Sequence, residues 1–150
     1  MPGFNEYGVN IDLQRPQQAP FDIFGERSGG VRMTKNLRIL VIEDDALIGM
    51  LFSDTLAGMG HSVCGIVANE ADAITAAREH QPDLMIVDAR LGRDSGLSAV
   101  DQIVASSFIP HVFVTGDKRG VVAQRPDAVI VEKPFHVAEL AAAITRAMTG

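Results

Sequence analysis

From residue 37 onward, short apolar runs rich in β-branched residues alternate five times with amphipathic stretches, and this alternation limits the fold more than any other feature. Strands are expected at 37–42, 62–67, 83–88, 110–115 and 128–132, with no proline inside any of them except the opening Pro110. Helices are expected at 46–59, 70–80, 95–106, 117–124 and 137–148. Parallel strands in one sheet are joined by right-handed crossovers. Five βα units therefore predict a doubly wound α/β domain, a five-stranded parallel sheet with helices on both faces.

Local signals support these elements. The first helix is expected to bury Leu47, Ile48, Leu51 and Leu56 and to close at Gly60. The second starts at an Asn69 cap with Asp72 three residues on. In the fifth, Val137, Leu140, Ala141, Ile144 and Met148 make one face. The fourth is weak, since it contains Gly120 and has room for about two turns.

Polar residues stand where the strands end. Glu43, Asp44 and Asp45 follow Arg38–Ile42, and Asp88 follows Leu84-Met85-Ile86-Val87. In a parallel sheet all of them reach the edge beyond the carboxyl ends of the strands, where ligands bind in open α/β folds. Two carboxylates about 4 Å apart repel by roughly 4 kcal/mol at an effective dielectric of about 20, so their convergence calls for a cation. Hard oxygen ligands in a partly hydrated site favour Mg²⁺. Thr115 ends the fourth strand and Lys133 follows the fifth, adding a hydroxyl and an ammonium to the same edge. Such a set suits phosphoryl chemistry, in which positioning and charge neutralisation carry most of the catalysis. Taken singly, each residue is ordinary: a strand-end Asp is more often a helix cap, and a Lys a solvated charge.

A chain of 150 residues, 47% hydrophobic and 21% charged, is long enough for one ordinary domain and short for two. Its net charge of −6, with no Lys/Arg patch, argues against nucleic acid as a partner. No apolar run approaches the ~20 residues that span a bilayer, and a lone Cys64 suits a reducing compartment, so a soluble cytoplasmic protein is expected. His61, His80, His111 and His136 lack metal-ligand spacing. Residues 1–35 read as an N-terminal arm joined at Ser28-Gly29-Gly30 to a domain over 36–150. Alternation of Tyr7, Val9, Ile11 and Leu13 leaves two readings, a flexible tail or a strand docked on its own domain or a partner subunit, and Met33 is an alternative start.

The motifs Val41-Ile42-Glu43-Asp44-Asp45, Asp88 with Gly96 eight positions on, Val114-Thr115-Gly116 and Lys133-Pro134-Phe135 together resemble the receiver domain of two-component response regulators. The resemblance covers 37–149 and implies the flavodoxin-like strand order 2-1-3-4-5. It also implies that Asp88 is the phosphoacceptor, a carboxylate nucleophile. Glu43, Asp44, Asp88 and the backbone carbonyl of Arg90 would hold Mg²⁺, with Asp45 left to cap the first helix. Thr115 and Lys133 would bind phosphoryl oxygens, and the Lys133–Pro134 bond would be cis. A histidine kinase or histidine phosphotransfer protein would be the donor, with the protein catalysing its own phosphorylation and slow dephosphorylation.

Departures from the family pattern bear on the switch. Ile130 stands where an aromatic residue is usual, Gly92 replaces a proline and is expected to loosen the phosphorylation loop, and the span from Thr115 to Lys133 is short. Arg90 and Asp117 are expected to pair across the crevice mouth and hinder water. The chain stops at Gly150, so a stand-alone receiver signalling by protein contacts is expected, with a homodimer favoured. The Val112–Gly116 segment is similar to single-domain receivers of α-proteobacterial stress and light-signalling circuits. Two rivals stay open: a phosphorylation-independent adaptor, for which Ile130 argues, and a small-molecule phosphatase, whose usual second Asp is replaced here by Arg90. Flavin binding is disfavoured because no Ser/Thr-rich phosphate loop follows the first strand.

Overall fold

The computed structural model describes residues 36–150 and the backbone of two short N-terminal strands, β1 (Pro2–Phe4) and β2 (Asn10–Asp12). These two pair antiparallel, Gly3 opposite Ile11. Tyr7, Val9, Leu13 and most of the expected arm lie outside the described residues.

The domain follows the expected alternation. In chain order come β3 (Arg38–Ile42), α1 (Ala46–Gly58), β4 (Ser62–Val67), α2 (Glu70–His80), β5 (Leu84–Asp88), a small hairpin of β6 (Arg90–Leu91) and β7 (Asp94–Ser95), α3 (Gly96–Val104), β8 (His111–Thr115), α4 (Lys118–Gln124), β9 (Ile130–Glu132) and α5 (Val137–Thr149). Five strands form one parallel sheet in the order β4-β3-β5-β8-β9, the 2-1-3-4-5 arrangement of a flavodoxin-like fold. No helix among the described residues is long and apolar enough to cross a membrane.

Alternation along each strand divides the core between the two sheet faces. Ile39 and Val41 pack with Phe52 and Leu56 of α1 and Leu140 and Ile144 of α5. Leu40 and Ile42 point the other way, among Ala73 and Ala77 of α2, Val100 and Ile103 of α3, and Val121 of α4. All four of these β3 side chains are fully buried, and each contributes about 1.5–3 kcal/mol by leaving water.

Caps fix the helix starts. Asp45 Oδ1 accepts hydrogen bonds from the N–H groups of Leu47 and Ile48, and Asn69 Oδ1 accepts from Asp72 N–H. One expected face is only partly right. Leu56 is fully buried and Ile48 and Leu51 are half-buried, but Leu47 is 66% exposed, and α1 buries Gly49, Phe52 and Thr55 as well. Gly49 explains the rotation: a Cβ there would lie 2.7 Å from Ile66 Cγ2, so the helix sits on β4 through a position without a side chain.

Candidate functional site at the carboxyl edge of the sheet

Strand register brings the polar residues together. Ile42 pairs with Val87, so Glu43 and Asp88 leave the two central strands side by side, and Thr115 pairs with Glu132, which places Lys133 beside Thr115. Potential ligand oxygens of Glu43, Asp44 and Asp88 all lie within 4.8 Å of one another. Lys133 Nζ stands 3.4 Å from Asp88 Oδ2, while Arg90 N–H donates to Asp88 Oδ1 at 3.0 Å. A cavity of about 720 Å³ opens over this cluster, and Glu43, Asp44, Asp88, Arg90, Thr115, Asp117 and Lys133 all line it.

Glu43 carries the strongest electrostatic signature. It is 3% exposed, and burial pushes its carboxyl up to about 7, helped by the neighbouring charge of Asp88 and opposed by the Asp45 N–H and by Lys133. Its Oε2 accepts from Asp45 N–H at 3.1 Å, but Oε1 is buried with no hydrogen-bond partner. A buried carboxylate oxygen without a donor is costly, and a cation removes the cost. The orphaned oxygen and the neighbouring hard donors fit a divalent cation such as Mg²⁺.

Thr115 is buried, and its Oγ1 accepts from Asp117 N–H at 2.9 Å, leaving the hydroxyl proton for another acceptor. The Lys133–Pro134 bond is cis. Ile130 is buried in the α2–α3–α4 half of the core and does not line the cavity. The expected Arg90–Asp117 ion pair is absent: the ion pairs among the described residues are Lys133–Asp88 and Arg125–Asp101. Asp117 Oδ1 instead accepts from Gly120 N–H, capping α4, and a nearby backbone donor outcompetes an exposed guanidinium.

The profile of the response regulator receiver domain matches residues 39–145. The chain belongs to the response regulator receiver family. Over 152 aligned residues this receiver is 30% identical to the phyllosphere-induced regulator PhyR of Methylorubrum extorquens, covering 99% of this chain and 57% of that protein. The solution structure of the PhyR receiver domain from Erythrobacter litoralis is similar with a TM-score of 0.69 at 30% identity, covering 77% of this chain and 92% of that one. The anti-anti-sigma factor PhyR from Bartonella quintana gives a TM-score of 0.71 at 30% identity, over 88% of this chain and 52% of that one. The receiver thus spans 57% of the length of the curated relatives it matches first.

Beside the site, the receiver contains two features that sequence reading missed. Gly92 turns the β6–β7 hairpin. Its φ is +59°, which suits glycine at the first central position of a two-residue turn, and a Cβ there would lie 3.6 Å from Asp44 Oδ2. Glycine followed by one residue between two short segments was the available signal. The second feature is a polar network centred on Glu70. Its carboxylate accepts from Ser95 N–H, Ser98 Oγ and Gln102 Nε2, and its own N–H donates to Asp94 Oδ2. Separations of 24 to 32 residues hid it from any local pattern.

Proposed function

We propose that this receiver accepts a phosphoryl group on Asp88 from a phosphohistidine, carried by a histidine kinase or histidine phosphotransfer protein. In that reaction an Asp88 oxygen attacks phosphorus, the P–N bond breaks as the P–O bond forms, and the histidine leaves. Lys133 holds one phosphoryl oxygen by charge, and the Thr115 hydroxyl donates to another. Glu43, Asp44, Asp88 and the Arg90 carbonyl would hold Mg²⁺. When bound, the cation neutralises the acids and takes up charge on the phosphoryl oxygens. The observation that carries this reading is the convergence of three acids within 4.8 Å beside the Lys133–Asp88 contact.

Acetyl phosphate and Mg²⁺ should add one phosphoryl group, about 80 Da, to the intact protein and nothing to Asp88→Asn. Equal adducts on both proteins would refute the assignment.

A second reading, an adaptor that binds its partner without phosphorylation, is favoured by Ile130, whose buried aliphatic side chain replaces a movable ring. Full partner binding by Asp88→Ala supports that reading, and loss of binding supports the first.

A further inference from the structure

We infer that Glu70 is a positioning residue for the phosphoacceptor site. It fixes the β6–β7 hairpin against α2 and so sets the Arg90 carbonyl and the end of β5 at Asp88. The inference rests on the phosphoacceptor reading above and adds a residue from a helix that contributes nothing to the cavity lining.

The hairpin needs external support. Each of its strands has two residues, Arg90 opposite Ser95 and Leu91 opposite Asp94, and an isolated two-stranded ladder is marginal in water. Leu91, 3% exposed, anchors it from below. Glu70 anchors it from the side, with Oε2 accepting from Ser95 N–H at 3.1 Å and Oε1 accepting from Ser98 Oγ at 2.9 Å and Gln102 Nε2 at 2.7 Å. Asp94 Oδ2 returns the contact by accepting from Glu70 N–H at 2.9 Å. That N–H opens α2 and has no partner within the helix, so the hairpin caps α2 while α2 holds the hairpin.

Displacement of the hairpin reaches the reacting residue by a short route. Gly96 follows Ser95, and its N–H donates to Ala89 O at 2.9 Å. A Cβ on Gly96 would lie 2.0 Å from the Asp88 carbonyl oxygen, so α3 starts in direct contact with the phosphoacceptor's backbone. Arg90, the first hairpin residue, donates its N–H to Asp88 Oδ1, tying the carboxylate's orientation to the same segment. Removing a group hydrogen-bonded directly to a metal ligand typically changes affinity or activity by about 10–100-fold. Glu70 acts one contact further out, through Ser95 and its pair Arg90, so the lower end of that range is its upper bound.

A purely structural role would act through the stability of α2, and a matched variant separates the two. Asn69→Ala removes the side-chain cap of α2 but leaves the Glu70 contacts in place. Mg²⁺ binding by isothermal titration calorimetry, acetyl phosphate phosphorylation rates and melting temperatures are compared for the full chain and for Glu70→Ala, Glu70→Gln and Asn69→Ala. Glu70→Ala should bind Mg²⁺ several-fold, up to about tenfold, more weakly and be phosphorylated correspondingly slowly. Glu70→Gln, which keeps one acceptor oxygen, should recover part of both. Asn69→Ala should melt earlier yet bind Mg²⁺ with wild-type affinity. Wild-type Mg²⁺ affinity in both Glu70 variants, or an equal loss in Asn69→Ala, overturns the inference. If wild type binds Mg²⁺ but never gains mass at Asp88, the functional reading falls, and the calorimetric comparison still decides the positioning role.

Discussion

Glu43 sets how the site responds to pH. Its carboxyl is raised from 4.5 to about 7, so the folded, metal-free protein holds that proton more tightly than the unfolded chain does. The stability this provides is complete below 4.5 and is lost as pH rises through about 7. Without metal, wild type should therefore lose melting temperature relative to Glu43→Gln across that window. His61 acts in the opposite sense, because burial lowers its pKa, but it is common to both proteins and cancels in the difference. Added Mg²⁺ should stabilise wild type increasingly over the same range, since the cation needs the ionised carboxylate, and should stabilise Glu43→Gln less. Thermal melts with Mg²⁺ or a chelator at several pH values provide the check, and parallel slopes for the two proteins would refute it. The strand-end places of Glu43, Asp44, Asp88, Thr115 and Lys133 were legible in the sequence, because a strand ends where its apolar run stops. How Arg90 and Asp117 direct their side chains was not, since exposed charges follow whichever local donor lies nearest, here Gly120 N–H for Asp117.

At the scale of elements, α1 shows where periodicity loses its power. Leu47, Ile48, Met50, Leu51, Phe52 and Leu56 surround much of the helix, so the apolar pattern marks no single arc. Close approach at Gly49 selects the arc, and it leaves Leu47 66% and Met50 60% exposed. Both lie on one face, three residues apart, and the intervening Ile48 lines the cavity. Exposed apolar side chains beside a reaction site suit a protein donor. Leu47→Glu and Met50→Glu should each slow phosphotransfer from a phosphohistidine protein about tenfold, or about 1.4 kcal/mol, while leaving acetyl phosphate rates unchanged. Equal slowing with both donors would assign the effect to the site itself. The Asn69 cap was readable because capping is local, within three residues, whereas Asp45 stood out as a cap only once the family motif had taken Glu43 and Asp44. The β6–β7 hairpin escaped notice because two-residue strands carry no periodicity, and tertiary contacts with Glu70 hold them.

For the whole molecule, the five-fold alternation was enough to specify a parallel sheet and its ligand-binding edge, whereas the strand order 2-1-3-4-5 was legible only through the family motifs, because right-handed crossovers alone leave several orders open. Among the described residues every buried hydrophobic side chain lies between Ile39 and Ile144. A chain starting at Met33 should accordingly unfold in one cooperative transition by circular dichroism and still gain one phosphoryl group on Asp88. A non-cooperative melt would show that the preceding segment completes the core. The sheet also separates two sets of packed side chains, one under α1 and α5 and the other under α2, α3 and α4, with only backbone in common. Substitutions can therefore accumulate on one flank without forcing compensation on the other, which lets lineages diverge in what they recognise while the chemistry at the rim is inherited intact.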